Sequence, residues 1–325
     1  MHPDWIKFLR YDPFPILLNS GDLAVQHLTR NDLLDERLDT PGILWVLPEV
    51  EKIINKQKSS GCWVYPQRGK SAHPTENYDL LQTYRTMGIL IEMYGMDKSH
   101  PAIARGVEYL LNHQTEEGDI RGIFGSQYAP HYTAGMLELL IKAGFGQDSR
   151  IKVSFDWYEN TRQDDGGWAW PLRTTKVSYQ EAIEMPIPVK SDPVQPFSHA
   201  LTGFVIRAYA AHPEFRKSPL AIKAGKLLKS RFFKPDKYPD RRAAEYWFKF
   251  QYPFWWGNLL TVLDSLSRME FPPEDPQISQ GLEWFQDNQL EDGSWPTGYG
   301  HGPKSDMDKI WVSLVVCRIL KRFSL

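Results

Sequence analysis

A short phrase recurs along the chain and constrains its fold more than any single residue does. It reads Arg162-Gln163-Asp164-Asp165-Gly166-Gly167-Trp168 and returns as Gln289-Leu290-Glu291-Asp292-Gly293-Ser294-Trp295. Looser copies run from Gln57 to Trp63 and from Gln114 to Asp119. Such a repeat is one supersecondary unit that buries its apolar face only by stacking on its copies. Each copy follows an apolar stretch with three-to-four spacing, at 45–54, 103–111, 151–158 and 278–285, which predicts amphipathic helices. The Gly near each helix end permits the left-handed residue that stops it. The stretches that follow the copies, 80–94, 132–145, 200–211, 259–269 and 310–320, are more continuously apolar and predict helices buried on most sides.

A fifth unit has lost its phrase. An outer helix over 220–233 leads through Pro235-Asp236-Lys237-Tyr238-Pro239 to a buried helix from about Trp255, and residues 13–34 can supply a sixth unit. No alternating strand pattern of useful length occurs. The expected fold is all-α, a single-domain α/α toroid of about six helical hairpins, with residues 1–44 completing a ring formed by 45–325.

Bulk properties exclude several functions. A net charge of -2 and a pI near 6.5 give no electrostatic footprint for nucleic acid. Two cysteines, Cys62 and Cys317, form no disulfide framework and no zinc-type spacing. No run of 18 apolar residues spans a bilayer, and the N-terminus lacks the pattern of a signal peptide, so a cytoplasmic location is expected. The 12 Trp, 15 Tyr and 16 Phe must fill a core, line a cavity, or do both.

Joining an outer to a buried helix, the Gln-x-x-Asp-Gly-x-Trp phrase resembles the repeat of squalene and other terpenoid cyclases. It is also similar to that of protein prenyltransferase β subunits. These families share an α/α toroid, and the resemblance covers roughly residues 45–325. It implies an isoprenoid or other apolar substrate in an aromatic-lined central cavity. It speaks to fold far more than to function.

The phrase's own residues read as clips. Gln closes hydrogen bonds to turn backbone, Asp accepts from free amides, and Trp fills the gap between hairpins. Candidate chemistry lies just beyond them, where the buried helices begin. In a toroid these starts surround one mouth. They carry Asn77-Tyr78-Asp79, His131-Tyr132, Ser198-His199, Phe254-Trp255-Trp256 and Asp306-Met307-Asp308, followed by Trp311. The candidate catalytic residues are Asp308, Asp306, His131 and His199. Candidate substrate contacts are Tyr78, Asp79, Tyr84, Arg85, Tyr132, Trp255, Trp256 and Trp311. Asp79 equally suits a helix cap.

Asp306-Met307-Asp308-Lys309 resembles the Asp-x-Asp-Asp run of class II cyclases, whose middle acid protonates an alkene. Here Lys309 replaces the last Asp, and an adjacent cation favours the carboxylate over the acid. The prenyltransferase zinc set is not matched, because neither cysteine has an Asp two residues before it. No cofactor is therefore expected, no α subunit is implied, and a divalent metal has only the loose set of His131, His199, His301 and Asp306 to draw on. The proline-rich segment 172–197 is placed to cover the cavity mouth or to be a surface insertion. Two other functions fit the same residues: a carbohydrate-active lyase or glycosidase, and a non-catalytic binding or scaffold toroid.

Overall fold

The computed structural model describes residues 4–36, 38, 42–66, 73–299 and 302–324. Among them the secondary structure is helical, with isolated bridges at Gln114–Ile120 and Gly122–Gly125 but no strand. The longer helices are α1 (Leu23–Leu33), α2 (Pro48–Ile54), α3 (Tyr78–Glu92), α4 (Pro101–Leu111), α5 (Pro130–Leu140) and α6 (Ser149–Asn160). They continue with α7 (His199–Ala211), α8 (Pro219–Lys229), α9 (Leu259–Arg268), α10 (Pro276–Asp287) and α11 (Pro303–Phe323). The fold is all-α, built from the helical hairpins of which α/α toroids are made.

Local chemistry sets the helix starts. Asp22, Asn77, Asp148, Ser198, Asn258 and Asp275 each cap a helix by accepting from a first-turn amide. Proline occupies the first turn of α2, α4, α5, α10 and α11, where its missing N–H costs nothing. Burial follows the expected alternation: α5 and α7 are buried almost throughout, whereas α4, α6 and α10 bury one stripe.

The chain divides into two compact units, residues 41–224 and residues 1–40 with 225–325. In the first, α3, α5 and α7 pack side by side, with α4 and α6 between them in sequence. The second joins the N-terminal segment to the C-terminal helices, with α1 and α9 both against α11. The Gln289 clip makes this junction: its carboxamide accepts from the Arg10 and Tyr11 amides at 3.0 and 3.1 Å and donates to the Tyr11 carbonyl at 2.8 Å.

The clips are built alike. In three of them the Trp indole N–H donates to the carbonyl ten residues earlier, Trp63 to Ile53, Trp168 to Tyr158 and Trp295 to Phe285, at 2.7 to 2.9 Å. Each Trp amide then donates to a hydroxyl of the next buried helix, namely Thr83, Thr202 or Ser313, at 3.0 Å. Thr133 receives the Ile120 amide in the same way. In the unit without a phrase, Trp247 takes the indole role and donates to the Lys234 carbonyl at 2.9 Å. Its buried helix begins at Leu259, not near Trp255, because Asn258 forms the capping box with Thr261. The 172–197 segment is not a plain loop either, since it holds short helices at Pro171–Thr175 and Tyr179–Ile183.

Candidate functional site

In the 41–224 unit the starts of α3 and α5 bring an aromatic group together. Tyr78 meets Tyr65 edge-on at 5.3 Å, and Tyr132 meets Tyr84 and Phe124 at 6.1 and 5.6 Å. His131 is the polar centre. Its ring lies 4.1 Å from Tyr132, 5.8 Å from Phe124, 5.9 Å from Trp170 and 5.7 Å from Phe204. The Trp170 indole N–H donates to His131 Nδ1 at 3.1 Å, which leaves the neutral imidazole with its proton on Nε2. His131 is 8 % exposed, so a ligand would meet only its edge.

The other sequence candidates of this unit lie on α3 and α7. His199 is the first residue of α7 after its cap Ser198, and the same helix sends Phe204 to His131. Arg85 is exposed, and its charge partly offsets the burial that pushes the Tyr132 phenol up. Asp79 does not cap α3, a task Asn77 performs; it accepts from the Tyr65 amide at 2.8 Å and ties the segment after the first clip to the helix. Tyr84 is 3 % exposed and packs under Gly135, beside a buried ion pair. Arg207 meets Glu138 there at 2.5 Å, and Lys142 meets Glu138 at 2.8 Å. Burial opposes ionisation of Glu138, yet the two cations outweigh it and hold the carboxyl below its usual range.

The proline-rich segment packs against this group. Tyr179 touches Phe124 at 5.8 Å and donates to Glu76, while Glu184 pairs with His73 at 3.1 Å. Gln127 then grips the segment at two places, donating to the Ala182 carbonyl at 2.7 Å and accepting from the Val189 amide at 2.9 Å.

The remaining candidates lie in the other unit. Asp306 sits exposed in the first turn of α11, and Asp308 is half-buried just beyond it. Lys309 pairs with the clip residue Asp292 at 2.8 Å, so its charge is spent on the turn. Trp256 has the Arg241 guanidinium over its ring at 4.7 Å, and Trp255 precedes it on the approach to α9. Trp311 needs correction as a substrate contact. It is 1 % exposed, stacks on Tyr252 at 5.6 Å and donates to Asp22 at 3.0 Å, so it offers no face to a ligand.

Among the described residues no group of three His, Cys, Asp or Glu side chains is placed to hold a metal ion, and His301 lies outside them. Cys62 and Cys317 are buried thiols, and burial pushes the Cys317 thiol up. Sequence reasoning missed Tyr65, Phe124, Trp170, Tyr179 and Phe204. Only Trp170 carried a signal, two residues past a clip Trp.

Residues 74–187, about a third of the chain, match the family model of the squalene-hopene cyclase C-terminal domain. That segment holds α3 through α6, two clips and most of the His131 group. The repeat is terpenoid cyclase-like. No curated protein sequence matches the chain. Among solved structures it is similar to an α-amylase from Clostridium perfringens, with 12% identity, 85% of this chain and 79% of that one covered, and a TM-score of 0.45. A type II terpene cyclase from Scytonema, solved with merosterolic acid A, gives 13%, 84%, 94% and 0.35. A protein from Actinoplanes gives 15%, 85%, 97% and 0.33. Superpositions at this level carry no argument about activity.

Proposed function

We propose that this terpenoid cyclase-like chain is an enzyme acting on an isoprenoid or comparably apolar substrate, with His131 as one polar centre of its site. The set of four aromatic rings around His131 carries the reading. Such walls suit a polyprenyl chain, and their faces stabilise cationic carbon through the ring quadrupole. The match to a squalene-hopene cyclase domain supports the same substrate class. The bond from Trp170 leaves His131 a donor at Nε2 in its neutral form. Asp308 is the candidate acid of the other unit, and its neighbour Lys309 pairs with Asp292.

The test is turnover of farnesyl diphosphate, geranylgeranyl diphosphate and squalene by the purified protein, with products read by mass spectrometry. Conversion of at least one is expected, and loss of a general acid or base should lower it by about a hundredfold or more in His131→Ala and Asp308→Asn. Unchanged turnover in both variants would remove both residues from the chemistry. Absence of both polyprenyl turnover and polyprenyl binding, with tight binding of a maltooligosaccharide instead, would overturn the substrate class.

A further inference from the structure

The Gln163 clip differs from its copies in what it grips. Gln57 donates to the Ala102 carbonyl and Gln114 to the Arg150 carbonyl, each at the start of the next amphipathic helix. Gln163 donates instead to the Asp192 and Gln195 carbonyls of the proline-rich segment, at 2.6 and 2.8 Å. Ser191 donates back to Gln163 at 2.9 Å, and the Asp164 amide donates to the Pro193 carbonyl. The glycines record the same substitution. A Cβ on Gly61 or Gly118 would overlap the backbone of the next helix, whereas one on Gly166 would meet the Lys223 side chain of α8, whose backbone stands further off. The segment takes the hydrogen bonds that a helix receives in the other clips.

A thin segment fills less space than a helix, and a cavity of about 370 Å³ remains beside it. Tyr128, Trp157 and Trp168 give it an aromatic wall, and Glu117, Arg162 and Lys190 give it charge. Glu117 is already engaged, accepting from the Tyr128 hydroxyl at 2.6 Å and from Arg121 at 3.0 Å. Arg162 and Lys190 form no ion pair among the described residues, and Arg162 makes only a long bond to the Glu159 carbonyl. Trp157 is 5 % exposed, and its indole N–H has no acceptor among the described residues.

We propose that the cavity binds a small planar organic anion, an aromatic carboxylate in class, with its ring against Trp157 and Tyr128 and its carboxylate held by Arg162 and Lys190. Guanidinium and ammonium donors bind carboxylates through charge-assisted hydrogen bonds, and the aromatic wall selects a flat body. The ligand would also brace the segment that presents Tyr179 to the His131 group.

Isothermal titration of the full chain with 1-naphthoate, with the neutral 1-naphthalenemethanol and with inorganic phosphate tests this. Naphthoate should bind in the submillimolar range, and the other two far more weakly. In the double variant Arg162→Gln, Lys190→Gln its affinity should fall by about tenfold or more. Both cationic side chains reach solvent, so circular dichroism should show an unchanged fold in the double variant. Equal binding of the alcohol, equal binding of phosphate, undiminished binding in the double variant, or no binding of naphthoate would each overturn the proposal. None of these outcomes depends on polyprenyl turnover.

Discussion

Asp164 and Asp165 are neighbours of one chemical type with different tasks. Asp165 accepts from the Gly167 amide at 3.1 Å and from the Phe197 amide at 2.9 Å, closing the turn and fastening the approach to α7. The Asp164 side chain is exposed, and only its backbone N–H is used by the turn. Asp165→Ala should therefore cost about 1–3 kcal/mol, since two amides lose their acceptor, whereas Asp164→Ala should stay within about 0.5 kcal/mol. Urea unfolding of the two variants decides, and equal midpoints would refute the division of labour. The clip was legible in the sequence because Gln, Gly and Trp are contiguous there and each has a distinctive turn chemistry. Its landing points were not. Thr83, Thr202 and Ser313 lie 20, 34 and 18 residues beyond the Trp they serve, and a hydroxyl within a helix looks like any other. Nor could the sequence reveal that Lys309 turns to Asp292, or that Trp311 faces the core.

At the scale of the helices, α3, α5 and α7 pack closely because Gly135 leaves room for Tyr84. A Cβ there would overlap the Tyr84 hydroxyl and ring. Alanine gains about 1 kcal/mol in helix propensity over glycine, but overpacking costs about 1–3 kcal/mol, and the overlap decides for the cost. Gly135→Ala should destabilise the protein, and adding Tyr84→Phe should recover part of the loss; full stability in Gly135→Ala would show that the helices separate freely. The same helices enclose Arg207 and Glu138. Arg207→Met leaves the buried carboxylate with Lys142 alone and should cost about 3–5 kcal/mol, with much of it regained when Glu138→Gln is added. A double-mutant cycle by urea unfolding measures that coupling, and additive losses would deny it. Helix periods and burial were legible from apolar spacing. The charged pair inside the most apolar helices was not, because a single Arg or Glu in such a run does not disclose its partner. The decayed unit was harder still. Its Trp247 reaches back 13 residues where the intact clips reach 10, so the phrase could not be recognised by spacing.

For the molecule as a whole, ionisation sets a stability window. Glu108, Glu117, Glu138, Asp148, Asp275 and Asp292 all have carboxyls held below their ordinary values of 4.5 or 3.8. The leading influence is the Arg150 hydrogen bond for Glu108 and Asp148 and the Tyr128 hydroxyl for Glu117. In Glu138, Asp275 and Asp292 burial works the other way and is outweighed by neighbouring Arg or Lys. A depressed folded pKa adds stability that is complete above the unfolded pKa and disappears as pH falls through the folded one. Tyr84, Tyr158 and Tyr209 lie on the opposite side. Burial pushes their phenols above the ordinary 10.0, so their contribution is complete below that value and declines as pH rises through the folded pKa. Tyr158 is the strongest case, fully buried with its hydroxyl donating to the Pro130 carbonyl at the start of α5. Thermal melts should accordingly give a plateau in Tm between about pH 5 and pH 9, a fall below about pH 4.5, and a second fall above about pH 10. Tyr158→Phe removes one ionisable phenol at the cost of one hydrogen bond. It should lower Tm on the plateau while making the alkaline fall shallower, and an alkaline limb of unchanged steepness would show that Tyr158 does not set that limit.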